Sequence, residues 1–129
     1  MNASSRSPFS ATYFWTPRQS DFDAFAQLSG DDNPIHVDPE FSAKTRFGRT
    51  VSHGMLLYTR AFGHLKALFP TEKHAFQSLM FPNPSFADEE LVFHYSADET
   101  DTSSVHVEVT RKADGLVTLS GTCKIGAVS

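Results

Sequence analysis

The sequence predicts an α+β domain in which an antiparallel sheet wraps around one long central helix. Three observations predict it. Three segments between residues 91 and 125 alternate apolar with polar residues, as strands do when only one face is covered. One run, residues 53–69, places apolar residues at three- and four-residue steps. The first thirty residues switch from a period of two to a helical period.

Residues 1–8 are polar and are expected to form a flexible terminus, which leaves one domain at 9–129. Phe9, Ala11, Tyr13 and Trp15 alternate with Ser10, Thr12, Phe14 and Thr16, so a strand comes first. Ser20 is the expected N-cap of a short helix, with Asp21 and Asp23 in its first turn and Gly30 ending it. Phe22, Phe25, Ala26 and Leu28 mark its apolar face. Residues 29–37 hold Gly, two Asp, Asn and Pro and read as loop. Asp38 and Pro39 suit the N-cap and first position of a second short helix reaching Lys44, and residues 45–52 read as a linker.

In the long helix, Met55, Tyr58, Phe62, Leu65 and Phe69 are the expected core stripe, widened by Ala61 and Leu68. Arg60 and His64 lie on another face, and Pro70 stops the helix. An irregular strand is expected within 75–86, interrupted by Pro82 and Pro84. Leu91, Phe93, Tyr95 and Ala97 form the apolar face of the next strand. Val105, Val107 and Val109 form that of a third. Val117, Leu119, Gly121, Cys123 and Ile125 form that of a fourth. Ala113-Asp114-Gly115 supplies the hairpin turn between the last two.

Composition narrows the function. The chain has 129 residues, enough for one core and too few for two. A net charge of -4, with no run of Lys or Arg, argues against a nucleic-acid surface. Cys123 stands alone, so no intrachain disulfide framework exists, and a cytoplasmic location is expected. Gly54 to Phe69 is too short and too charged to span a bilayer. Twelve Phe imply bulky packing or an apolar pocket. The histidines show no compact metal-ligand pattern, and no phosphate-binding glycine loop is evident.

The chemistry-bearing segment is Phe25-Ala26-Gln27-Leu28-Ser29-Gly30-Asp31-Asp32-Asn33-Pro34-Ile35-His36, followed by Val37-Asp38-Pro39-Glu40-Phe41-Ser42. Gly30 and Pro34 restrict the backbone, so Asp31 and His36 project from one short loop. A carboxylate and an imidazole so placed can hold a water, accept its proton and deliver a proton to a neighbouring atom. The same residues also make a good turn, in which Asp31 or Asn33 bonds the backbone and His36 packs half-buried.

This segment resembles the hydratase 2 motif of the MaoC-like hotdog-fold family, which includes the (R)-specific enoyl-CoA hydratases. The pattern is filled here by Phe25, Leu28, Ser29, Gly30, Asp31, Asn33, Pro34, Ile35, His36 and Ser42. The similarity continues through Phe47-Gly48-Arg49-Thr50-Val51-Ser52-His53-Gly54-Met55-Leu56. Beyond that it rests on general pattern and on Phe86-Ala87-Asp88-Glu89.

The resemblance implies a single hotdog fold. It implies addition or removal of water across the 2,3 double bond of an enoyl thioester, with an (R)-3-hydroxyacyl product. Asp31 and His36 would bind the catalytic water. The free N–H groups and dipole of the long helix's N-terminus suit the thioester oxygen, and the resemblance selects the backbone N–H of Gly54 as donor. Asn33 is expected to orient the loop and His53 to serve structure at the helix start. Phe41, Phe47, Tyr58, Phe62 and Met80 are candidates for an acyl pocket, with Phe62 shortening it. No cofactor is expected beyond the CoA or phosphopantetheine carried by the substrate. A homodimer is expected, and an acyl carrier protein is a candidate partner. Three alternatives share the fold: a β-hydroxyacyl-carrier-protein or polyketide-type dehydratase, a non-catalytic acyl-binding module, and a thioesterase.

Overall fold

The computed structural model describes residues 9–126; the expectation for residues 1–8 lies outside them. The chain runs β1 (Ser10–Trp15), α1 (Gln19–Ser29), α2 (Pro34–Val37), α3 (Pro39–Ala43), α4 (Gly54–Leu68), β2 (His74–Met80), β3 (Leu91–Ala97), β4 (Ser104–Arg111) and β5 (Val117–Ile125). All strand pairs are antiparallel, in the order β1-β3-β4-β5-β2. The inward residues of β3, β4 and β5 pack with Leu57, Ala61 and Leu65 of α4 to form the core. This is the mixed α+β arrangement that the two periodicities predict.

Four local expectations change. Arg18, not Ser20, is the N-cap of α1, and its backbone N–H donates to Asp21 Oδ2 at 2.7 Å. Ser20 then lies inside the first turn. Residues 34–37, read as loop, close one helical turn because Asn33 Oδ1 accepts from Ile35 N and Pro34 starts the turn with a preset φ. The stripe of α4 that faces the sheet is Leu57, Ala61 and Leu65, while Met55 is 52% exposed. Apolar residues cover more than half of this helix, so periodicity alone did not single out the inner face. Finally, Thr118 points inward. A register shift where Val109 pairs with Leu119 and Thr110 with Val117 leaves Thr118 as the extra residue of a bulge. Its buried hydroxyl donates to Val109 O at 3.2 Å.

Candidate active site

α1 delivers the chain to the site. Gly30 ends it at φ 83°, a conformation that costs glycine nothing, and its N–H donates to Ala26 O at 2.8 Å. Asp31 follows at once, and the turn of α2 brings His36 back beside it.

Several bonds hold that turn. Ser42 is buried, and its hydroxyl reaches the carbonyls of Pro34 and Ile35. Val51 N–H donates to Ile35 O at 2.9 Å. Gln19 Nε2 donates to His36 O at 2.8 Å, and Thr50 Oγ1 in turn donates to Gln19 Oε1 at 2.6 Å. Asp38 caps α3 by accepting from Phe41 N at 3.1 Å.

His36 Nε2 lies 3.8 Å from Asp31 Oδ2. The other ring nitrogen, Nδ1, sits 2.7 Å from Val51 O. A carbonyl only accepts, so Nδ1 carries the proton, and in the neutral ring Nε2 is a bare acceptor facing the carboxylate. Two acceptors 3.8 Å apart do not bond each other. They can share a water that donates one hydrogen to each. The Asp31 side chain is 56% exposed and that of His36 12%, so the pair opens to the outside on the carboxylate side.

His53 lies beneath the pair. It is buried, its ring stacks on His36 with centroids 3.9 Å apart, and its Nε2 donates to Asp31 O at 2.8 Å. Phe25 contacts its edge at 4.9 Å between centroids. Burial lowers the His53 pKa below its ordinary value; the bond to Asp31 opposes this and the neighbouring His36 reinforces it. A neutral His53 thus supports His36 without placing a like charge against it. This pairing across 17 residues had no signal in the sequence beyond the polar residue at a helix start. Gln19 had none at all.

Asp31, His36 and His53 each hold a donor atom within 4.8 Å of the other two. One nitrogen of each ring is engaged by a carbonyl, His36 Nδ1 by Val51 O and His53 Nε2 by Asp31 O, which leaves the other nitrogen of each ring as an acceptor.

Gly54 opens α4, and with Phe47, Phe81 and the 82–85 segment it lines a cavity of about 290 Å³. Asn33 serves the loop as the cap of α2. The five acyl-pocket candidates do not share one cavity. Phe47 lines the one beside Gly54. Tyr58 and Phe62 stack on each other and against Phe76 and His74, while Phe41 and Met80 are exposed. Arg60 and His64 instead line a separate groove between α1 and α4, where Arg60 lies over the Trp15 ring at 4.4 Å and His64 Nδ1 meets Tyr95 Oη at 2.6 Å.

Comparison with known proteins places this geometry. An (R)-specific enoyl-CoA hydratase of Aeromonas caviae is 37% identical over 99 residues, 75% of this chain. A 3-hydroxybutyryl-CoA dehydratase of Methylorubrum extorquens is 36% identical over 90 residues, 70% of this chain. The chain spans 66% and 51% of the lengths of these two relatives. A solved (R)-hydratase from A. caviae, involved in PHA biosynthesis, superposes with a TM-score of 0.83 at 28% identity, covering 98% of this chain and all of that one. The family model described as a MaoC like domain matches residues 4–117, and the chain belongs to that family.

Proposed function

We propose that this chain catalyses the reversible hydration of an enoyl thioester, with Asp31 and His36 as its acid–base pair. The observation that carries the reading is the 3.8 Å gap between His36 Nε2 and Asp31 Oδ2, with Nε2 left as an acceptor by the bond to Val51 O. The names of the relatives support the reaction class.

The two acceptors orient a water. Its oxygen bonds to C3 of the enoyl group as the pair takes one of its protons. The π electrons move toward the thioester, whose oxygen gains charge and rests on the N–H of Gly54. The pair then returns a proton to C2, giving a 3-hydroxyacyl thioester of (R) configuration. Dehydration runs the same steps backward. No cofactor takes part beyond the CoA or phosphopantetheine of the substrate, and residues 9–129 act as one domain. Among the described residues no helix is long and apolar enough to cross a membrane; a cytoplasmic location belongs to this reading.

Crotonyl-CoA tests it. Hydration removes the enoyl absorbance and releases no thiol, whereas a thioesterase releases thiol. Asp31→Asn and His36→Ala should each lower kcat by at least about 10²-fold, the usual contribution of a positioned acid or base. Near wild-type turnover in either variant defeats the mechanism. Run over acyl chains of increasing length, the same assay tests whether Phe62, which packs against Tyr58 and His74 rather than lining the cavity beside Gly54, limits chain length at all. A preference for long chains removes the Phe62 argument.

A further inference from the structure

The cavity beside Gly54 holds a second feature that the reaction as described leaves unused. Ser85 lies in the segment between β2 and β3, and its carbonyl accepts from Ser52 N at 2.8 Å. Val51 and Phe86 form an antiparallel bridge next to that bond. The 85–86 segment is thereby pinned alongside the residues that lead into α4.

Ser85 is 2% exposed, and its hydroxyl has no hydrogen-bond partner among the described residues. Such a group is costly to bury, and it calls for an acceptor. The other polar side chains of the cavity wall are engaged. Ser52 Oγ donates to His53 O, Asn83 Nδ2 to Val117 O and Thr118 Oγ1 to Val109 O. Among the described residues, Arg46 is the only charged one in the wall, and no carboxylate lines it.

Gly54 lines the same cavity. α4 is 15 residues long, and its N-cap, His53, makes no side-chain bond to the first turn. The first N–H groups therefore keep their pull on an acceptor, reinforced by the helix dipole. A Cβ on residue 54 would come 3.2 Å from the Phe81 ring, so glycine keeps this approach open. Gly54, at the start of α4, and Ser85, with its buried hydroxyl, thus line one cavity.

We propose that the Ser85 hydroxyl is a second donor to the thioester oxygen, acting with the Gly54 N–H as negative charge develops on that oxygen. The assignment rests on the hydration reading above. It adds to that reading a residue from a distant segment, and with it the two-donor arrangement that stabilises an oxyanion.

Three measurements test it. With crotonyl-CoA, Ser85→Ala should lower kcat by about 10²-fold, as loss of one oxyanion donor does elsewhere, with KM changed far less. Its thermal midpoint should hold or rise, because the hydroxyl removed had no partner among the described residues. Ser85→Thr, which keeps a hydroxyl, should restore most of the rate. Butyryl-CoA, which cannot be hydrated, serves as the probe of contact. Its thioester carbonyl stretch should lie at lower frequency when bound to the wild-type chain than to Ser85→Ala. A Ser85→Ala variant within twofold of wild-type kcat overturns the proposal, and so does an unchanged carbonyl frequency. If the wild-type chain leaves crotonyl-CoA untouched, the hydration reading fails, and the butyryl-CoA frequency still decides whether Ser85 touches a thioester.

Discussion

At the scale of the residue, His53 ties chemistry to stability. Its ring is held neutral by burial, and the same holds for His64, which packs between Tyr13 and Tyr95 and is further disfavoured as a cation by Arg60. Both pKa values lie below the ordinary 6.5. Between that value and the lowered ones, the unfolded chain binds more protons than the folded chain. Unfolding free energy should therefore fall as pH drops below about 6.5. Urea titrations at pH values either side of it should show the fall, and His53→Phe should flatten it while keeping the contacts with His36 and Phe25. The same variant withdraws the donor from Asp31 O and should slow crotonyl-CoA hydration. A pH slope identical to wild type would show that His53 does not titrate in this way.

At the scale of the element, two glycines in regular structure call for opposite outcomes. Gly121 pairs with Leu79 of β2 on one side and Val107 of β4 on the other. A Cβ there would stand 2.7 Å from Ser78 O, a backbone atom of the neighbouring strand. Ala cannot fit unless β2 moves off β5, so Gly121→Ala should cost about 1–3 kcal/mol, in the range of overpacked sites. Gly63 is exposed on α4, with nothing within 4 Å of its would-be Cβ. Gly63→Ala should stabilise by about 0.5–1 kcal/mol through helix propensity alone. Equilibrium urea unfolding reads both. Equal effects of the two substitutions would mean that β2 and β5 are not held closely enough to exclude a Cβ at Gly121.

At the scale of the whole molecule, the sheet has two edges, β1 and β2. The end of β2 and the residue after it are apolar and uncovered, with Met80 62% and Phe81 41% exposed. An open edge strand beside exposed apolar side chains invites a second strand. The homodimer expected from the family resemblance would cover it. Light scattering should then give twice the 14.3 kDa of one chain, and charged substitutions at Met80 and Phe81 should return the single-chain mass. A single-chain mass for the wild type at micromolar concentration counts against the dimer.

Much of this molecule was legible in its sequence, because the relevant forces act over a few residues. Alternation along 91–97, 105–109 and 117–125 marked most of the inward faces of three strands: Leu91, Phe93, Tyr95, Val105, Val107, Val109, Leu119, Cys123 and Ile125 are in the core, while Ala97 and Val117 are only half-buried and the bulge turns Thr118 inward. Gly30, Asn33, Pro34, Asp38 and Pro39 act on their immediate neighbours, so the chain turns where they stand. Asp31 and His36 lie five positions apart, and a single helical turn suffices to bring them together. What only the tertiary structure decided involves segments far apart along the chain. The stack of His53 under His36, the bond of Gln19 to His36 O, the inner face of α4 and the placing of Ser85 beside Gly54 all depend on how the sheet and helix pack. Such contacts arise from the shape of the assembled core, which no local pattern of residues encodes.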